Sequence, residues 1–223
     1  KVVFDNSFSS DGHTEINLDD TSGDTIRDIV AGPNGSTFLT YRTSNAPFGQ
    51  HAQITKILSN GSPDASWGTN GIALINLRPG DSNNLKEDPN DVIVNSDGSM
   101  IVLMRMQDQY GVDISLELVK LNSAGMRDNS YGTNGVASFA AASTASVSDN
   151  WGLTAGPSGS LYVGSTTNRV HSIMKVDANG ASVDSFGTQS KITAGNPMYF
   201  ESDSSGALYV VGQSLGTGST FPQ

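Results

Sequence analysis

The chain has 223 residues, 36% of them hydrophobic and 15% charged, enough to bury a real core in one large domain or two small ones. It contains no cysteine, which excludes disulfides, thiolate metal sites and cysteine nucleophiles. Its formal charge of −10 repels phosphate backbones and anionic lipid, and no apolar run is long enough to span a bilayer, so neither nucleic acid nor membrane insertion is expected.

Gly, Ser, Thr and Asn fill the composition, as suits many short strands joined by turns. No basic leader precedes an apolar run, so any signal peptide is expected to have been removed already. The acidic, hydroxyl-rich and cysteine-free composition points to a secreted or cell-surface location.

The first element is a turn, Asp5 to Phe8 and then SSDG, followed by the alternating run HTEINL. After LDDTSGD (Leu18–Asp24), the runs DIVA and TFLTY flank the glycine turn GPNGS, and apolar runs about such a turn predict a β-hairpin. KILSNG follows with Lys56, then DASWGTNG with Trp67, then the strand-like GIALINL. The same order returns after GDSNNLKEDPND: DVIV and MIVLM about NSDGS, KLNSAG with Lys120, DNSYGTNG with Tyr131, then GVASF. It returns again as GLTA and LYVG about GPSGS, KVDANG with Lys175, Asp184 to Phe186-Gly187-Thr188, and SKITA. A last hairpin reads YFES and LYVVG about SSGA.

Phe8, Trp67, Tyr131 and Phe186 therefore recur about sixty residues apart, and each repeat lysine stands at one fixed distance before its aromatic. One unit is four short strands: hairpin, lysine strand, aromatic turn, outgoing strand. Such a unit cannot bury both faces alone, so neighbours must stack on it, and radial stacking of four-stranded sheets is the β-propeller solution. The expected fold is all-β, a β-propeller or propeller segment of about four units of four antiparallel strands with an incomplete last blade. The expected organisation is one repeat domain, 1–223, in units 1–20 (partial), 21–80, 81–142, 143–195 and 196–223 (partial).

These aromatic turns and Gly-centred hairpins resemble the delta-sixty repeat family of bacterial β-propellers. The resemblance covers nearly the whole chain and implies a fold, with no reaction attached. The chain departs from that pattern in the first unit, where SSDG replaces GTNG, and in the fourth, where SKITA lacks the second glycine.

Phe8, Trp67, Tyr131 and Phe186 are expected to plug between blades, with Gly68, Gly132 and Gly187 turning the chain after them. The unfinished last unit has two readings. Further blades continue the natural chain, or an open edge accepts a strand from a neighbouring molecule.

Chemistry is sparse. His13, His51 and His171 show no metal-binding spacing and are expected at surfaces or strand edges. There is no G-x-S-x-G elbow and no phosphate-binding loop. Asp24, Asp28, Asp88 and Asp91 lie in acidic stretches before the hairpins, where turn capping competes with a calcium site, the sole cofactor entertained. Lys56, Lys120 and Lys175 are expected to be solvated or to pair with nearby Asp. Tyr41, Phe48, Tyr110, Trp151 and Phe221 are the aromatics available for stacking on a glycan, with Phe48 and Tyr110 favoured by their place in variable loops. The expected function is a non-enzymatic extracellular module for protein or glycan interaction within a larger secreted or surface protein. Self-assembly by strand exchange and a propeller hydrolase or lyase using a divalent metal remain as alternatives.

Overall fold

The structure is a computed structural model describing residues 5–16, 24–43, 50–79, 85–140, 152–167, 170–186, 191–193 and 196–213. It is all-β, and its strands form four small antiparallel sheets. The first contains β1 (Thr25–Ala31), β2 (Thr37–Arg42), β3 (Ala52–Ile57) and β4 (Ile72–Ile75). The second contains β5 (Lys86–Val94), β6 (Met100–Gln107), β7 (Asp113–Leu121) and β8 (Val136–Ala140). The third contains β9 (Gly152–Ala155), β10 (Leu161–Thr167), β11 (Val170–Val176) and β12 (Lys191–Thr193). Among the described residues the fourth holds two strands, β13 (Asn196–Ser202) and β14 (Leu208–Gln213). Strands pair in chain order within every sheet, so each is a simple meander.

Local chemistry sets the turns. At GPNGS, proline pre-sets φ while Asn34 and Gly35 take positive φ of 56° and 72°, and the Ser36 hydroxyl closes on the Pro33 carbonyl at 2.7 Å. At NSDGS the Asp97 carboxylate accepts the Ser99 amide and hydroxyl instead, at 2.9 and 2.7 Å. Asp203 closes the last hairpin on Ser205 in the same way, at 2.9 and 2.6 Å.

The sheets stack face to face, and β6 shows why its sequence is almost continuously apolar. Met100, Val102, Met104 and Met106 face the first sheet, where they pack on Phe38, Ile54 and Ile75. Ile101 and Leu103 point the other way, onto Leu153, Leu161 and Val163 of the third sheet. A strand buried on both faces loses the polar alternation of a half-exposed one.

The Trp67 and Tyr131 turns reach out of their own sheets into the next. Trp67 follows β3, is 2% exposed, and joins the core shared by the first two sheets. Its ring lies 5.4 Å from that of Phe38, and its indole N–H donates to the Ser123 carbonyl at 3.1 Å. The next residue, Gly68, donates its amide to Ala124 of the second sheet's lysine turn at 2.8 Å. Tyr131 repeats the arrangement one sheet later: it is 2% exposed, and Gly132 donates to Asn179 of the third sheet at 2.9 Å. Earlier in the chain, Ser9 beside Phe8 donates to Asn60 at 2.7 Å. All three acceptors immediately precede a glycine, Gly61, Gly125 or Gly180.

That glycine is required by space. At Gly125 φ is +78°, and an added Cβ would stand 2.6 Å from the Trp67 ring. The doubled phrase GTNG has an equally local cause. Gly68, Asn70 and Gly71 have positive φ of 63°, 55° and 88°, and Gly132, Asn134 and Gly135 follow at 54°, 52° and 85°. Left-handed positions are inexpensive for glycine and tolerated by asparagine. In the first unit Ser9, Ser10 and Gly12 adopt 51°, 61° and 84°, so SSDG also takes up positive φ.

Three expectations need correction. Tyr41 is 2% exposed in β2 and bonded to Gln53, so it offers no stacking surface. Asp28, Asp88 and Asp91 lie within strands, the first in β1 and the others in β5, and not in capping loops. Of the surface or strand-edge places expected for His51, the surface is not observed: it stands at the entrance of β3 with its side chain against Glu87.

Candidate functional site

The densest polar cluster lies where β5 passes the first sheet. Gln50 accepts the Glu87 amide at 2.9 Å and donates its own to Leu85 at 3.2 Å, which ties the start of β5 to the entrance of β3. This tie brings two buried carboxylates between the sheets. Glu87 accepts the Leu77 amide at 2.8 Å and pairs with His51 Nδ1 at 3.0 Å. Asp88 Oδ2 accepts from Arg27 at 2.5 Å and from Arg42 at 3.0 Å, so β1, β2 and β5 meet on one oxygen. Carboxylates this deep persist only with charged or N–H donors around them. The far nitrogen of His51 faces the Asn76 amide at 3.4 Å. Among the described residues this carboxylate–histidine pair ends on an amide and not on a hydroxyl. The cluster works as a clamp between two sheets.

Asp91 ties the next pair of sheets. Its Oδ2 accepts the Leu153 amide of β9 at 2.7 Å, and its Oδ1 the Val92 amide at 2.8 Å. Burial pushes its pKa up from 3.8 to about 6, against the pull of those two donors, and the charges of Asp28 and Glu201 push it the same way. Because the folded value is the higher one, the folded state holds this proton more tightly than the unfolded chain. The stabilisation is complete below pH 3.8 and is lost as pH rises through about 6. Unfolding free energies of wild type and Asp91→Asn will therefore differ by a constant amount below pH 4, then diverge by up to about 3 kcal/mol against wild type by pH 7. Paired denaturant titrations across that range measure it.

Asp28, which occupies the matching place in β1, accepts the Ile29 amide at 2.8 Å. Asp24 stands directly before β1. Among the described residues no three His, Asp or Glu side chains come close enough to hold a metal ion. Asp88 faces arginines through Oδ2, while its Oδ1 is buried without a hydrogen-bond partner among the described residues, and Asp91 faces amides.

Two of the repeat lysines pair with acids, Lys56 with Asp64 at 2.9 Å and Lys120 with Asp128 at 3.0 Å. Hydrogen bonds from Ser130 and then Lys120 hold Asp128 well down, at about 2. Lys175 lies over the Tyr162 ring at 5.2 Å, and Phe186 packs against that same ring at 5.5 Å. Phe8 and Phe186 are half-buried, unlike the fully enclosed Trp67 and Tyr131. Gly187, Phe48, Trp151 and Phe221 lie outside the described residues, as does the side chain of His171.

No protein-family model matches the chain, and no curated protein is significantly similar to it.

Among the described residues, Tyr110 and one cleft are surface features open to a ligand. Tyr110 sits at the tip of the β6–β7 hairpin and is 82% exposed. Asp108 fixes that tip by accepting the Tyr110 and Val112 amides at 2.9 and 2.8 Å, while Gln107 donates to the Gly111 carbonyl at 2.9 Å. A cleft of about 410 Å³ lies between the turns of the first two sheets, with Asn34, Lys56, Asn60, Asp97 and Ser123 around a floor formed by Phe38. His51 with Glu87, and Arg27 and Arg42 with Asp88, escaped the sequence reading because each pair joins residues far apart in the chain.

Proposed function

We propose that the chain is a non-enzymatic β-propeller module, secreted or displayed at a bacterial cell surface, which offers its rim to a protein or glycan partner. One observation carries this reading: the same joint, aromatic wedge plus amide-to-carbonyl bond, links successive sheets at regular intervals. The first strands β1, β5, β9 and β13 are also spatial neighbours in sequence order, the placement expected of strands around a common axis. Polar groups between the sheets are spent on joining them, which leaves rim loops as the variable surface. The motif resemblance to delta-sixty repeat propellers supports the same reading. No cofactor is needed for it.

Tyr110, rigidly held and exposed, is the contact we assign first. Aromatic faces stack on sugar rings and anchor protein partners alike. Screening the protein against immobilised glycans and surface-protein fragments tests the proposal. Tyr110→Ala is expected to weaken the partner found by at least about tenfold without changing the unfolding midpoint. Turnover on a panel of esters, glycosides or phosphoesters would overturn the non-enzymatic reading.

A second reading, strand donation from a neighbouring molecule, rests on the general liability of a sheet edge left without a partner strand. In it the subunit is structural, and electron micrographs showing only single particles at high concentration would end it.

A further inference from the structure

The meander of each sheet brings its β1–β2 or β5–β6 turn to the same end as the turn that follows β3 or β7. In the first two sheets these four turns enclose the cleft of about 410 Å³. Tyr110 stands beyond the opposite end of β6, so the cleft is a separate place on the molecule. Its volume falls within the range of small-ligand sites, about 300–1,000 Å³. Several polar groups around it are not engaged by the fold. Asp97 closes its own turn through Oδ1 alone, to the Ser99 amide at 2.9 Å and hydroxyl at 2.7 Å, and its Oδ2 has no hydrogen bond among the described residues. Asn60 accepts the Ser62 amide through Oδ1 at 3.0 Å, and its side-chain N–H groups donate to none of the described residues. The Asn34 side-chain amide and the Ser123 hydroxyl also make no hydrogen bond among them.

The next junction separates what stacking requires from what this cleft adds. There the repeat places Ile101 where Phe38 stands, Ala124 for Asn60, Ser158 for Asp97 and Ala178 for Ser123. That junction keeps its wedge, Tyr131, and its amide-to-carbonyl bond from Gly132 to Asn179 without those side chains. The polar groups of the first cleft are therefore surplus to the joint. Their chemistry selects a ligand class. Lys56 is the cation among the described lining residues, and Asp64 already answers it at 2.9 Å, so an anionic ligand meets Asp97 and a net charge of −10 without a free counter-charge. Phe38 is 1% exposed and offers no open ring face to a planar aromatic ligand. Sugar hydroxyls, each both donor and acceptor, match a mixture of side-chain amides, a hydroxyl and a carboxylate oxygen. We propose that this cleft binds a neutral saccharide of one or two sugar units, with Asp97 accepting from its hydroxyls on one wall and Asn60 donating to them on the other. The inference narrows the partner to a glycan, and in that respect rests on the binding-module reading, while its residues are independent of Tyr110.

Amide chemical shifts of the 223-residue chain test the proposal, followed while glucose, galactose, mannose, N-acetylglucosamine and their disaccharides are added in turn to millimolar excess. At least one of these sugars is expected to give saturable shifts at Asn34, Asn60, Asp97 and Ser123. Asp97→Ser, which copies the matching turn position at Ser158, is expected to weaken that sugar by at least about tenfold, because it removes a charged acceptor. Ser123→Ala, the counterpart of Ala178, keeps the backbone carbonyl that holds Trp67 and is expected to weaken it about threefold. If Asp97→Ser lowers the unfolding midpoint, Ser123→Ala carries the test. Sugars that leave these four amides unmoved, shifts that grow linearly without saturating, or full affinity in both variants would overturn the proposal. Shifts at the same amides from short polar peptides and from none of the sugars would also overturn it, and would give the cleft to a protein partner. A silent cleft in a chain that binds its partner through Tyr110 removes only this inference. Sugar held at the cleft with undiminished affinity in Tyr110→Ala supports it and takes Tyr110 out of the contact.

Discussion

Trp67→Ala will lower the free energy of unfolding by about 3–5 kcal/mol, the range for removing a large aromatic side chain from a closed core. The ring is 2% exposed, lies against Phe38, and holds Ser123 of the second sheet through its indole N–H. Its loss opens a cavity between two sheets and leaves a carbonyl to find another donor. Tyr131→Ala will act similarly at the following junction, where the ring is equally enclosed. Chemical denaturation measures both.

Gly125 sharpens the prediction. Gly125→Ala carries two penalties: a backbone held at φ +78°, and a Cβ placed 2.6 Å from the Trp67 ring. The first costs about 1 kcal/mol and persists in any background. The second requires the indole, so it vanishes once Trp67 is alanine. The double variant will therefore be more stable than the sum of the single losses predicts, as expected for residues in contact. Strict additivity would mean that the ring and the glycine do not meet.

Asp88→Ala will produce the second large effect. One carboxylate oxygen joins Arg27 of β1 and Arg42 of β2 to β5. Removing it leaves two cations facing each other without their counter-charge, and breaking a buried pair costs about 3–5 kcal/mol. Arg27 and Arg42 retain 31% and 18% of their side-chain exposure, so water recovers part of that loss. A decrease of about 2–3 kcal/mol is expected. Replacing Arg42 by methionine in the Asp88→Ala background will restore part of the stability, because one stranded charge is then gone. A further loss on adding that change would show that Arg42 is held by something other than Asp88.

The order of strands was legible from the sequence because each landmark has a local cause. Gly35, Gly98, Gly159 and Gly206 mark the hairpins by needing positive φ, and the Asp and Ser around them close the turns over two or three residues. Trp67 and Tyr131 were legible as wedges because a lone aromatic beside glycine recurs at each unit boundary. The amide-to-carbonyl bond beside each wedge was not legible. It joins Gly68 to Ala124 and Gly132 to Asn179, and nothing in either turn alone names the other.

The polar clamp was hidden for another reason. The segment KEDPND, dense in charge and broken by proline, looks like a loop, yet it opens β5. Pro89 is accommodated because β5 is the edge strand of its sheet and the register shifts between Pro89 and Asp91. Glu87 and Asp88 thereby become strand residues pressed against the neighbouring sheet, where their charges need partners from β1, β2 and β3. Tyr41 misled in the opposite direction. An aromatic late in a hairpin strand looks available, but β2 is an inner strand flanked by β1 and β3. His51 carried a faint signal in its place at the entrance of β3, yet its partner Glu87 lies 36 positions on.

Amide hydrogen exchange at Gly68 and Gly132 tests most directly whether successive sheets are joined through their aromatic turns. Both residues sit in surface turns, and both amides donate across a sheet boundary. Exchange slowed by orders of magnitude relative to the neighbouring Ser66 and Ser130 amides, and released in Trp67→Ala and Tyr131→Ala respectively, is the predicted result. Exchange of Gly68 and Gly132 at the rate of an unstructured peptide would mean that the sheets are not joined there.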